Sequence, residues 1–222
     1  MSTAATATKL APQTTGNKFG LIVKILTSTV VVGLAVAFVT KYVFRYYLNY
    51  NEAAFALGSP KYWGHRWWLL FHISGGTLAL LCGPWQFWTG FRSRYLNLHR
   101  WMGKLFLLGV VIGSIGAFRM SVDSAFGWAF GVSLFVLAAA WLTAAAMAYY
   151  AIRNRRIEVH KEWMLRAYII TFAFVIFRIL SDYSPLSHVV PVSDRIVTIA
   201  WVCWTIPLLV AEVVMQLRRI RA

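Results

Sequence analysis

Six apolar runs, each close to the length that crosses a bilayer, constrain this chain more than any other feature. They fall at about 20–43, 67–91, 101–120, 126–150, 164–183 and 195–217. A hydrocarbon core about 30 Å thick takes about 20 helical residues at 1.5 Å each, so every run is long enough to span. None alternates with period two over ten residues, which argues against a transmembrane barrel. Composition agrees, with 59% hydrophobic and 13% charged residues. Soluble domains carry about 25% charged residues, and disordered chains lack this apolar content. The expected fold is an all-α integral membrane bundle of six transmembrane helices over 20–217. A flexible cytoplasmic tail at 1–19, rich in Thr, Ala and Ser, precedes it, and a basic cytoplasmic end at 218–222 follows. The start of the chain lacks the compact basic segment, short apolar run and small-residue cleavage site of a secretory signal, so run 1 is expected to stay as an anchor.

A net charge of +15, from 22 Lys and Arg against 7 Asp and Glu, first suggests a nucleic-acid partner. The placement of the charges argues otherwise. With the N-terminus in the cytoplasm, fifteen basic residues fall on the cytoplasmic side, in every loop there and at both ends. Seven fall on the other side: Lys41, Arg45, Lys61, Arg66, Arg119, Arg178 and Arg195. This is a positive-inside bias, so both termini are expected to be cytoplasmic, with anionic lipid headgroups as partners there and no nucleic acid. Tryptophans mark both interfaces: Trp63, Trp67, Trp68 and Trp128 at one, Trp85, Trp88, Trp101 and Trp163 at the other. Trp141, Trp201 and Trp204 lie deeper and are expected to fill the bundle. The two cysteines, Cys82 and Cys203, sit inside spans without metal spacing and read as small apolar residues.

The second run carries His72, Gly76, Ala79, Gly83, Gln86 and Gly90 on one face. Such a stripe packs helices closely, and Gly83-Pro84 frees the carbonyl of Leu80 and bends the helix. Runs 3 and 5 resemble each other. Each opens on a histidine, His99 or His160, and closes on an arginine with an aspartate four residues on: Arg119 with Asp123, Arg178 with Asp182. This is a weak parallel repeat. On run 5, His160 and Arg178 share a face about 27 Å apart; on run 3, His99 and Arg119 point to different faces.

A membrane arginine is costly and marks a candidate site, although pairing with the aspartate or reaching to the surface accounts for it equally well. His72, Arg119, Arg178, Asp123 and Asp182 are therefore a candidate polar site on the non-cytoplasmic side, for a headgroup, a quinone oxygen or a small molecule. His99 and His160, at the starts of two helices, are candidate axial ligands of one b-type haem, with no other metal implied. The blander reading is an interfacial imidazole on a lipid phosphate or loop carbonyl. His65 and His188 read as loop residues. Glu212 is an acid within an apolar run, set to meet a cytoplasmic arginine or a polar interior. No phosphate loop, HExxH or serine triad is present.

The segment GPWQFWTGFRSRYLNLHRWMGKLF at 83–106, with His72 before it, VHKEWMLRAY at 159–168 and Arg178 after it, resembles the bacterial predicted membrane proteins grouped as domain of unknown function 2306. The resemblance covers about 65–180 and implies a fold and a bacterial cytoplasmic membrane location, not a chemistry. A looser similarity is to haem bundles of the cytochrome b561 and ferric reductase-like groups. Their ligand histidines form two matched pairs within helices, and this chain offers one pair and a single further histidine.

Three functions are compatible with these residues. The first is a small membrane redox protein with haem on His99 and His160. The second is a permease or a lipid- or small-molecule-binding protein. The third is a non-catalytic assembly factor in which the polar residues lock helix packing. A polar cavity favours the second; Arg119 and Arg178 bound to Asp123 and Asp182, with no cavity, favours the third.

Overall fold

The computed structural model describes residues 18–51, 61–124, 126–183 and 189–221. The tail before residue 18 and the expected loop residue His188 lie outside the described residues. Among the described residues every regular element is helical. The order is α1 (Lys18–Phe38), a π-helical turn (Val39–Val43), α2 (Phe44–Leu48), α3 (Lys61–Gly64), α4 (Arg66–Phe87), α5 (Thr89–Arg94), α6 (Leu96–Val122), α7 (Trp128–Arg153), α8 (Ile157–Tyr183) and α9 (Val192–Ile220).

Five segments are long and apolar enough to cross a membrane: Ile25–Leu48, Leu96–Val122, Trp128–Arg153, Ile157–Tyr183 and Val192–Ile220. The expected second span, α4, is 22 residues long but is not among them. His72, Ser74, Thr77, Gln86 and its glycines dilute its hydropathy. The bounds also shift. The run expected at 67–91 breaks at Trp88, whose extended backbone (φ −82°, ψ 103°) separates α4 from α5. Helix α8 begins at Ile157 and not near 164. Backbone hydrogen bonds set helix ends, and the polar turn of Glu158, His160 and Lys161 continues the helix where hydropathy has already faded.

Successive long helices run antiparallel. The closest pair is α4 with α6, and glycine makes it possible. A Cβ on Gly75 falls 2.2 Å from the Gly113 nitrogen, and one on Gly116 falls 2.4 Å from the Trp68 carbonyl. The two backbones therefore touch, as small residues allow in a membrane. Gly76 and Gly83, in contrast, face aromatic rings of α8, Phe174 and Tyr168. The stripe's Gly76 and Gly83 thus pack α4 against α8, and Gly75, outside the stripe, packs it against α6. The central core gathers Phe106, Val110, Trp141, Ala148, Ala167 and Cys203. Trp141 fills the bundle as expected: its indole N–H donates to the Thr171 hydroxyl at 2.8 Å, and that hydroxyl donates to the Ala167 carbonyl at 2.8 Å. Around this core the outer faces stay apolar, including Ile25, Leu26, Val30, Leu209 and Val210, as lipid contact requires.

Two turns show how the chain reverses. Gly127, with φ +88°, leads into α7 in a conformation that favours glycine. Arg155, with φ +58°, closes α7. The Arg156 N–H donates to the Ala151 carbonyl and the Arg155 N–H to the Ile152 carbonyl, at 2.9 and 3.1 Å. This is a Schellman cap with arginine in the usual glycine position.

Candidate functional site

The polar residues separate to two ends of the bundle. At one end, α8 and α9 are joined by charge. Arg166 donates to both oxygens of Glu212, the Oε2 contact at 2.9 Å, and lies 3.7 Å from Glu162. Arg219 donates to both oxygens of Glu162, at 2.6 and 2.5 Å. Glu212 has therefore met an arginine, one of the two outcomes its position allowed. The Arg166 guanidinium also stacks over Trp163 at 4.6 Å.

His99 and His160 lie in the first turns of α6 and α8 at this same end. His160 Nδ1 lies 2.8 Å from the Ala148 carbonyl. A carbonyl only accepts, so Nδ1 carries the proton and a neutral His160 presents a lone pair at Nε2. His99 Nδ1 is buried without a partner, and its own carbonyl accepts from Gln86 Nε2 at 3.5 Å. The Ala148 carbonyl thus fixes which nitrogen the His160 ring presents, while His99 Nδ1 stays unpaired. Among the described residues no group of three or more His, Cys, Asp and Glu could hold a metal ion.

The opposite end holds the other candidates, in an arrangement that differs from the sequence expectation. Asp123 lies 3.1 Å from His65 Nε2 and Asp182 lies 3.3 Å from Lys41 Nζ. The Tyr42 hydroxyl also donates to Asp182. Neither aspartate forms an ion pair with the arginine four residues before it. Arg119 is exposed and stands apart, as its offset from the His99 face foreshadowed. Arg178 turns inward: its Nη2 donates to the Tyr46 hydroxyl at 3.4 Å and its guanidinium stacks 5.5 Å from the Tyr42 ring.

Arg178 and His72 line a cavity of about 250 Å³ to which α1, α2, α4, α6, α7, α8 and α9 all contribute residues. Its wall is mostly apolar, with Phe38, Leu69, Ile73, Phe130, Leu134, Leu137, Phe174 and Phe177. Tyr42, Tyr46, Thr77, Ser133 and Ser181 add hydroxyls. The oxygens of Thr77 and Ser181 are buried and make no hydrogen bond. His72 Nδ1 donates to the Gly113 carbonyl at 2.8 Å, across the glycine-tight contact between α4 and α6. A neutral His72 therefore presents Nε2 as an acceptor, and its ring meets Phe174 edge-on at 4.8 Å. Tyr42 comes from the π turn, closed by the Phe44 N–H on the Val39 carbonyl. Such turns are frequent at functional sites. The sequence suggested only an anchor for this first helix and missed Tyr42, Tyr46, Thr77 and Ser181. Its one available signal was two tyrosines four residues apart in an apolar run.

Long apolar helices with apolar outer surfaces, packed into one bundle, define a multi-pass α-helical membrane protein. The family model described as "Predicted membrane protein (DUF2306)" matches residues 69–215, and the chain belongs to that family. No curated protein and no solved structure matches the chain.

Proposed function

We propose that the protein binds a membrane-soluble small molecule in the cavity around Arg178 and His72. The reading places six spans in a cell membrane, both termini cytoplasmic, with α4 as the sixth and the cavity in the half away from the cytoplasm. The single observation that carries it is an apolar cavity into which a few polar groups converge, which is the usual form of a small-molecule site. About 250 Å³ lies just below the roughly 300–1,000 Å³ typical of such sites, which suits one ring or one chain better than a two-chain lipid. Asp182 makes its direct contacts with Lys41 and Tyr42, so the Arg178 guanidinium stays turned toward the cavity.

The test is saturable binding by the purified full chain in nanodiscs, with a short-tailed benzoquinone and dodecanol as probes. Leu137→Trp, which fills the cavity from α7, is expected to abolish binding while the protein stays folded. Absence of saturable binding, or equal binding by Leu137→Trp, rejects the reading.

A second reading rests on the matching positions of His99 and His160 in the first turns of α6 and α8. These two residues would hold a b-type haem through imidazole nitrogens, with the Ala148 carbonyl orienting His160. The group supplies one-electron chemistry when bound, and a quinone in the cavity would be its partner. Protein from haem-replete cells is expected to show a Soret band lost in His99→Ala and His160→Ala. A folded, colourless protein rejects it.

A further inference from the structure

We infer that the molecule in the cavity is a single-chain amphiphile headed by an oxyanion, a carboxylate or a phosphate, and that Arg178 holds the head. The inference rests on the small-molecule reading above and names its ligand class.

Charge is the first argument. Arg178 is the one cation that lines the cavity among the described residues, and no carboxylate lines it. The nearest acid on its own helix, Asp182, already accepts from Lys41 Nζ and the Tyr42 hydroxyl. Lys41 and Arg178 thus share one aspartate, and a half-buried guanidinium in an apolar wall gains from a further anion beside it.

Donor geometry is the second. A guanidinium offers five N–H donors in a planar fork suited to two oxygens of a carboxylate or phosphate. Among the described residues Arg178 uses one, in a long 3.4 Å bond to Tyr46. The hydroxyls of Thr77 and Ser181, buried and unpartnered on the same cavity, are further donors to an oxyanion.

Charge decides which group the head meets. His72 presents a lone pair, which repels an oxyanion, so the head sits at the Arg178 side. The chain lies against Phe130, Leu134 and Leu137, where the wall is mostly apolar.

The test measures equilibrium binding of dodecanoate, dodecyl phosphate and dodecanol to the full chain in nanodiscs of zwitterionic lipid. An oxyanion is expected to bind about tenfold or more tighter than the alcohol, and the tighter of the two anions identifies the head. Arg178→Gln should collapse that preference, and Arg178→Lys should keep part of it. Equal binding of acid and alcohol by the wild type, which needs no variant to fold, overturns the inference. So does an unchanged preference in folded Arg178→Gln. If the alcohol binds and Leu137→Trp blocks it, but no anion is preferred, the cavity reading stands and the head assignment falls. If no probe binds, both fall.

Discussion

The Tyr168 hydroxyl donates to the Leu80 carbonyl at 3.4 Å. That carbonyl is the one Pro84 leaves without its helical partner, because proline has no N–H to return to the residue four before it. Gly83 makes the approach possible: a Cβ there falls 2.0 Å from the Tyr168 ring. Proline creates a vacant acceptor on α4, glycine clears the space beside it, and a tyrosine of α8 fills both.

Gly83→Ala is therefore expected to destabilise the protein by about 1–3 kcal/mol, the usual cost of overpacking a filled core. Tyr168→Phe, which keeps the ring and removes the hydroxyl, should cost about 1 kcal/mol. Thermal unfolding in detergent, followed by size exclusion, ranks the two. Equal wild-type stability in Gly83→Ala contradicts the close contact.

The Arg166–Glu212 pair is expected to contribute about 1 kcal/mol or slightly more. It is a two-oxygen, charge-assisted contact, discounted because Glu212 is 36% exposed. Glu212→Gln should lower stability by that amount. The swap Arg166→Glu with Glu212→Arg should recover part of the loss, less the new clash with Glu162. A double-mutant cycle reads the coupling directly, and a coupling of zero removes the pair from the account.

Trp141→Phe should cost about 1 kcal/mol or more from the lost bond to Thr171, while Trp141→Ala should cost about 3–5 kcal/mol from the void it leaves. Unfolding midpoints separate the bond from the volume. If Trp141→Phe is as damaging as Trp141→Ala, the hydrogen bond outweighs the packing.

Arg155→Gly should stabilise the protein by about 1 kcal/mol, because a non-glycine residue at positive φ carries a penalty of about that size. The same substitution removes a cytoplasmic charge in the proposed topology. Alkaline phosphatase fused after Arg155 should be inactive in that topology and active after Val189. The reverse pattern refutes it.

The helices were legible from the chain alone, and much of the site was not. Runs of about 20 apolar residues pointed to spans, and four/three spacing put His72 and Gly83 on one face of α4. The small-residue stripe read correctly as packing, down to the freed Leu80 carbonyl, because proline and glycine act through local covalent geometry. The pairing of Arg178 with Asp182 was a fair local expectation at four residues apart. It yielded to Lys41 and Tyr42, which lie about 140 residues away in sequence and reach Asp182 only when α1 packs against α8.

What the sequence determined was local: apolar length, helix-breaking residues, and which side chains share a helical face. These follow from transfer free energy and backbone geometry over a few turns. What the tertiary structure decided was partnership. The turn of Arg178 into a cavity, the bond from His72 to Gly113 and the meeting of Arg166 with Glu212 each depend on which helix lies beside which. That neighbourhood is set by backbone-to-backbone packing at Gly75, Gly113 and Gly116 and by the seat of Tyr168 on Gly83. Helical periodicity along one segment records the face a residue presents, but not the group on the helix opposite.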